Sequence, residues 1–427
     1  MKLPDTLLDA SARKVLRRLV PFLVLCYATS YLNRVNIGFA KLEMLNDLSF
    51  SETVFGLGAG LFFVGYFLFE VPSNMLLQRF GANRWIARIM ISWGVLSAGF
   101  AFVDSAQSFY VLRFLLGVAE AGFYPGVIFY LSYWVPSVYR GRAIAMTMSA
   151  IPLSAIVGNP LSGWIMDGMQ GVAGLAGWKW MFILEAVPAV LMGVAVLFYL
   201  DNSIAAAKWL SQSEKVVLKD ELTRERAMQV RGVEAGISAF KDPRIWLMCL
   251  IYFCFVMGQY GLTFWMPTLI KAVGVTGNLK IGAMSAIPYV VTLIAMNVLG
   301  RSADRHRERR WHLIVPALVG AVGFGLAPIV PGISLAIVAL SLAAAGAISC
   351  APLFWSLPTA FLSGAAAAVG IAVINSVGNL AGFAAPYMIG VITDATGSAE
   401  FGMYAIGGGL VLGALAVWAT PAQMVNR

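Results

Sequence analysis

Charge is scarce in this 427-residue sequence: Asp, Glu, Lys and Arg together supply 12% of it, against 59% hydrophobic residues. So little polar material cannot coat a soluble globule of this length, and the surrounding solvent must be lipid. Histidine is scarcer still. The two present, His306 and His312, lack metal-ligand spacing, so no metal and no cofactor are expected. The four cysteines, Cys26, Cys249, Cys254 and Cys350, fall inside apolar stretches without clustering and read as packing residues, with no disulfide framework. A nucleophile elbow and a Gly-rich phosphate loop are missing as well, which argues against a membrane-embedded enzyme.

Long apolar runs are what the sequence has in quantity. Crossing a hydrocarbon layer takes roughly 20 apolar residues per helix. Twelve such runs can be placed, near 19–40, 53–77, 84–103, 108–134, 142–166, 178–200, 244–270, 280–300, 312–330, 333–358, 366–392 and 400–419. The fold class expected is therefore all-α, with twelve transmembrane helices. Arg13, Lys14, Arg17 and Arg18 precede the first run as in a secretory signal. That run is too long, lacks a small-x-small cleavage site and contains Asn33, Arg34 and Asn36, so it reads as a retained helix.

With the N-terminus inside, only Lys41, Lys179, Lys271 and Lys280 of the 30 Lys and Arg fall in outer segments, and Arg34 and Arg113 fall within helices. The remainder flank inner segments, which predicts both termini in the cytoplasm of a bacterial-type inner membrane. The +9 net charge then reports topology, and no nucleic-acid partner is implied.

A polar stretch at 201–243 divides the chain six helices to six, giving an N-terminal bundle over 1–200, a cytoplasmic linker and a C-terminal bundle over 244–427. Within the linker, Ser213 to Val230 reads as a short amphipathic helix on the membrane face. The halves also repeat one another. Gly163-Trp164-Ile165-Met166-Asp167 recurs as Gly390-Val391-Ile392-Thr393-Asp394, and Gly300, Asp304 and Arg305 match Asn74, Gln78 and Arg79 at a constant offset. Such parallel repeats mark duplicated transporter bundles.

Charges at helix centres are costly in lipid, about 2.5–3.5 kcal/mol each on insertion scales, so the few present need a reason. They are Arg34, Glu70, Arg113, Glu120 and Glu185, all in the first half. Arg113 and Glu120 stand seven residues apart, two helical turns with a drift of about 20°. They should share one face lining a central cavity, with Gly117, Gly122 and Gly126 permitting close helix approach. The structural alternative is an ion network that locks helix 4 to its neighbours. Arg34 needs an anion, a carboxylate partner or water. Two inward guanidinium forks suit a small carboxylate better than a sugar or a cation. Glu120 is the expected proton carrier: an anion that occupied the arginines would release it to take up a proton, making the two ligands mutually favourable. Glu70 and Glu185 read as braces or gates. Arg79, Asp304 and Arg305 read as cytoplasmic latch and topology residues.

Several ordered motifs resemble the major facilitator superfamily, and within it the anion:cation symporter family of sugar-acid, tartrate, phthalate and hydroxyphenylacetate carriers. They are Tyr31-Leu32-Asn33-Arg34-Val35-Asn36-Ile37-Gly38-Phe39-Ala40, Glu70-Val71-Pro72-Ser73-Asn74, Arg79-Phe80-Gly81, Arg113-Phe114-Leu115-Leu116-Gly117-Val118-Ala119-Glu120-Ala121, Arg140-Gly141-Arg142-Ala143 and Trp178 to Glu185. The resemblance implies two pseudo-symmetric six-helix bundles that import a small organic anion with protons by alternating access, a monomer sufficing. It also implies that Tyr66, Gln259, Tyr260, Trp355, Ser356, Asn375 and Asn379 complete the substrate wall. Members often carry Asp before the helix 1 arginine, where it looks like a second protonation site. Here Asn33 stands instead and cannot titrate. The competing reading is a major facilitator exporter, or a sodium-coupled carrier of another substrate.

Overall fold

The computed structural model describes residues 6–229, 242–361 and 364–421, and side chains within them except 226–229, 359–361 and 364–369. Among the described residues there are seventeen α-helices, of which sixteen make twelve crossings. Eight are single helices: α1 (Leu7–Leu48), α2 (Glu52–Phe80), α3 (Ala82–Gly99), α8 (Gly177–Tyr199), α10 (Pro243–Ala272), α11 (Asn278–His306), α12 (Trp311–Leu326) and α17 (Glu400–Ala419). The other four are broken: α4 (Ala106–Glu120) with α5 (Phe123–Ser132), α6 (Ser137–Met148) with α7 (Ala150–Gly168), α13 (Ile333–Phe354) with α14 (Ser356–Phe361), and α15 (Gly364–Asn379) with α16 (Ala381–Thr396). Eleven crossings are long and apolar enough to span a bilayer, and α12 is the shorter twelfth. Large apolar side chains such as Leu191, Ile294 and Trp418 lie exposed on the outside, where only lipid would cover them favourably.

Proline places three of the four breaks. Pro125, Pro152 and Pro358 each remove a backbone donor and crowd the carbonyl four residues earlier, at Ala121, Met148 and Phe354, where α4, α6 and α13 end or have just ended. Gly122, at φ +84°, lets the fourth crossing turn and restart, where the sequence pattern predicts a continuous helix. α1 likewise begins earlier than expected, because Thr6 and Asp9 form a reciprocal cap and Arg18 lies over the rings of Tyr199 and Trp209.

Between the sixth and seventh crossings, α9 (Gln212–Gln229) lies on the first half, through Lys14–Glu214 at 2.9 Å and Arg140–Glu225 at 3.0 Å. It matches the expected linker helix except at Val230, which lies outside the described residues. The end of the bundle that carries α9 and the basic 301–310 loop is the basic end.

The opposite, far end is closed by two equivalent clasps. The Asp167 carboxylate accepts the backbone N–H groups of Asn278 and Leu279, the first two residues of α11, at 3.2 and 2.8 Å. The Asp394 carboxylate accepts those of Glu52 and Thr53, the first two of α2, at 3.1 and 2.8 Å. A carboxylate there satisfies orphan donors and complements the positive helix end. Each clasp needs its glycine: a Cβ on Gly163 would strike the Asn278 carbonyl, and one on Gly390 the Glu52 carbonyl. The repeat found in the sequence is thus a pair of joints between the halves. The other repeat has no such counterpart, since Asn74 bonds within its own helix to the Glu70 carbonyl and Asp304 pairs with Arg309. Asp304, expected as a cytoplasmic latch residue, here pairs with Arg309 of its own loop.

Candidate functional site

α1 carries Asn33-Arg34-Val35-Asn36 at mid-bundle. Arg34 is 8% exposed. Its Nη2 pairs with Glu120 Oε1, its Nη1 donates to the Tyr260 hydroxyl at 3.0 Å, and its guanidinium lies 5.0 Å from the Phe62 ring centre. Arg34 Nε is buried with no hydrogen-bond partner. Ser30 Oγ donates to the same Glu120 oxygen at 2.9 Å. Glu120 is the last residue of α4, where the negative end of the helix disfavours a carboxylate. Arg34 and Ser30 offset that.

Arg113 sits differently. It is 1% exposed, its Nε and Nη2 donate to the carbonyls of Gly58 and Ala59 in α2 at 3.3 and 3.1 Å, and its guanidinium lies 5.2 Å from the same Phe62 ring. It therefore anchors α4 to α2 and does not face the central cavity, which corrects its expected place beside Arg34 on the substrate wall. The glycines act as expected: a Cβ on Gly117 would overlap the Phe62 carbonyl, and one on Gly126 the Leu77 side chain.

Glu185 forms a second buried network, accepting from Ser162 Oγ at 2.6 Å and Asn36 Nδ2 at 3.0 Å. Asn33 joins it by donating to the Glu185 and Thr29 carbonyls, while its own oxygen accepts from Ser97. These residues tie α1 to α3, α7 and α8. Glu70 instead meets the other half, accepting from Asn375 Nδ2 at 3.2 Å, with its second oxygen buried and unpartnered. Arg79 and Arg305 are exposed at the basic end.

The cavity between the halves holds about 780 Å³ of empty space, open solvent at its mouth included. Of the expected wall, Arg34, Tyr66, Gln259, Tyr260, Asn375 and Asn379 line it. Trp355 and Ser356 do not: the Trp355 ring packs 4.9 Å from Tyr252, and Ser356 Oγ donates to the Leu353 carbonyl at 2.7 Å in the turn ahead of Pro358. Tyr27, Tyr31, Tyr124 and Tyr252 also line the cavity and are absent from the sequence-based wall. A signal for them exists. Tyr27, Tyr31 and Arg34 follow an i, i+4, i+7 stripe on α1, and Tyr252, Val256 and Gln259 repeat it on α10. Gln259 Nε2 donates to the Tyr31 hydroxyl at 2.9 Å, joining the stripes. The result is a water-accessible chamber with one cation, two carboxylates at or beneath its wall, and a ring of phenols and amides. Such a chamber can hold a small anion bearing hydroxyls or an aromatic ring.

The sequence profile of the Major Facilitator Superfamily matches residues 23–386. A protein of Pseudomonas putida provisionally named the metabolite transport protein NicT is 47% identical over 97% of this chain and 95% of its own. An Agrobacterium vitis protein provisionally named a tartrate transporter is 49% identical, covering 94% and 93%. A quinolone resistance transporter of Acinetobacter baumannii is 42% identical, covering 92% and 90%. Among solved structures, an inward-facing bacterial homologue of the human lysosomal transporter Spinster superposes with a TM-score of 0.77 at 17% identity over 97% of this chain and 98% of that one.

Proposed function

We propose that this chain, which belongs to the Major Facilitator Superfamily and is thereby a multi-pass membrane transporter, imports a small organic anion together with protons by alternating access. The chain would lie in a bacterial inner membrane as a monomer with its basic end in the cytoplasm. One observation carries the reading: the only charged side chain on the cavity wall among the described residues is Arg34, held by a single carboxylate, Glu120, with its Nε still unpartnered.

A substrate carboxylate entering the cavity would compete with Glu120 for the guanidinium. Arg34 offers a planar fork, so a carboxylate can replace the Glu120 contact with two parallel hydrogen bonds. Glu120, left buried without its counter-ion, would then accept a proton on Oε1, and Ser30 would hold the protonated carboxyl in place. Anion and proton thus each favour the other's binding. Tyrosines and amides around the chamber would meet hydroxyl groups, which fits the relative named for tartrate. With a monoanion and one proton aboard, Arg34 is paired with the substrate and Glu120 is uncharged, so the net charge equals that of the empty Arg34–Glu120 pair, and the halves would be free to part and re-form the Asp167 and Asp394 clasps.

The quinolone resistance relative supports the competing export reading. The two separate in proteoliposomes with a defined inward proton gradient. Import predicts uphill accumulation of tartrate or another hydroxy acid and an inward proton current that the acid stimulates. An outward flux of substrate driven by that gradient, with no acid-stimulated inward current, would favour export.

A further inference from the structure

The sequence pattern places Lys41 in an outer loop, yet it lies inside α1 and is only 4% exposed. It stands seven residues beyond Arg34, so it occupies nearly the same face about 10.5 Å nearer the far end. Its surroundings repeat those of Arg34. Arg34 has Phe62 of α2 at 5.0 Å, Tyr260 of α10 at 3.0 Å and the carboxylate of Glu120. Lys41 has Phe55 of α2 at 5.3 Å, Trp265 of α10 at 4.1 Å and the carboxylate of Glu52 at 2.6 Å. Each tier is a cation against one aromatic from each half, neutralised by one acid of the first half.

We propose that Lys41 is a second anion site, the point at which an incoming carboxylate lands before it passes to Arg34. The inference rests on the organic-anion reading. The groups that cover Lys41 explain why it is silent in the closed form. Trp265 belongs to the second half, and so does Asp394, which clasps the start of α2 beside Glu52. When the halves part at the far end, Trp265 and Asp394 leave with the second half. Lys41 is then uncovered with a single carboxylate, itself partly exposed, that an external anion can displace. A buried ammonium serves better here than a second fork: it is a point charge that attracts a carboxylate without fixing its orientation, and so releases it readily to the guanidinium below. A cation at the mouth of a low-dielectric passage also raises the local concentration of anions.

The test compares Lys41→Gln, Lys41→Arg and Glu52→Gln. External KM is measured in intact cells, and KM from the other face in inside-out vesicles, using whichever of tartrate, gluconate and 4-hydroxyphenylacetate the wild type carries fastest. Lys41→Gln should raise external KM about tenfold, leave the inner-face KM unchanged, and flatten the ionic-strength dependence of external uptake. Lys41→Arg should retain that dependence. Glu52→Gln should move external KM the opposite way, because it removes the competing internal anion. Equal losses in Lys41→Gln and Glu52→Gln, on both faces, would reduce the pair to a structural salt bridge and overturn the inference. An unchanged external KM in Lys41→Gln while Arg34→Gln is inactive would overturn it and leave the organic-anion reading intact. Failure of the wild type to carry any of the three acids would overturn both.

Discussion

The two halves are alike at the far end and unlike at the centre. Asp167 and Asp394 make the same pair of backbone hydrogen bonds, each beside a glycine that admits the partner helix. Towards mid-bundle the match dissolves: the stripe Tyr27, Tyr31, Arg34 on α1 faces Tyr252, Val256, Gln259 on α10. Arg34, Lys41, Glu70, Arg113, Glu120 and Glu185 are buried in the first half, and among the described residues no buried charge lies in the second. Gating geometry tolerates duplication, since both halves must move as equivalent bodies. Charge chemistry does not need to be duplicated across the halves, because one buried cation with one acid suffices to couple an anion to a proton, and a second coupling pair in the other half would add desolvation cost without adding a further coupled proton.

The sharpest way to break this comparison is to make the halves equal. Arg34→Gln copies the second half's residue into the first, and uptake should fall at least ~100-fold, equivalent to about 2.7 kcal/mol. Gln259→Ala, which removes only a neutral hydrogen bond to Tyr31, should cost about 1 kcal/mol, some fivefold in KM. Comparable losses from the two would show that the centre is not polarised.

Arg113 tests whether buried charge in the first half is all of one kind. Arg113→Lys cannot reach both the Gly58 and Ala59 carbonyls, so thermal unfolding in detergent should report a loss of about 1–3 kcal/mol. Substrate affinity of the folded fraction should stay within a few-fold. A large rise in Kd at unchanged stability would return Arg113 to the binding wall.

The clasps should respond as equals. Asp167→Asn and Asp394→Asn each lose one charge-assisted contact, worth about 1 kcal/mol. Each should increase the population with a parted far end by a similar factor, read as distance distributions between spin labels at the exposed Asn46 and Glu400. A shift confined to one variant would show that one clasp alone holds the gate.

The smallest effect is at the linker. The Lys14 ammonium, hydrogen-bonded to Glu214, holds that carboxyl below the usual glutamate value, with the Ser211 backbone N–H assisting. A depressed acid stabilises the docked form above its undocked value and loses that contribution as pH falls through the docked one. Protection factors over Gln212–Gln229, that is exchange corrected for its intrinsic slowing in acid, should therefore fall below about pH 4.5, while Glu214→Gln should show no such step.

Crossings, linker helix and clasp residues are legible in the sequence because hydropathy, glycine and repeat spacing act locally. The confinement of buried charge to the first half, among the described residues, is legible too, because such charges are costly wherever they sit. The orientation of Arg113 is not. Its distance from Glu120 fixes a face of α4, but the carbonyls that capture it belong to α2, and the break at Gly122 redirects the chain beyond Glu120. Trp355 departs from its expected place for a similar reason, since Pro358 interrupts the helix that would have aimed it. Lys41 is hidden by its distance from the centre of the hydropathy peak, and the close approach of Phe55, Trp265 and Glu52 shows that it is covered.

The central claim is that Glu120 exchanges Arg34 for a proton when the anion binds. Glu120→Gln preserves volume and stands in for the protonated carboxyl. In proteoliposomes it should bind the anion and exchange labelled for unlabelled substrate at near wild-type rates, yet fail to concentrate it when an inward proton gradient is imposed. Vesicles bearing Glu120→Gln that still accumulate substrate against its gradient would show that the proton travels by another residue, with Glu70 and its unpartnered oxygen at the interface of the halves as the next to replace.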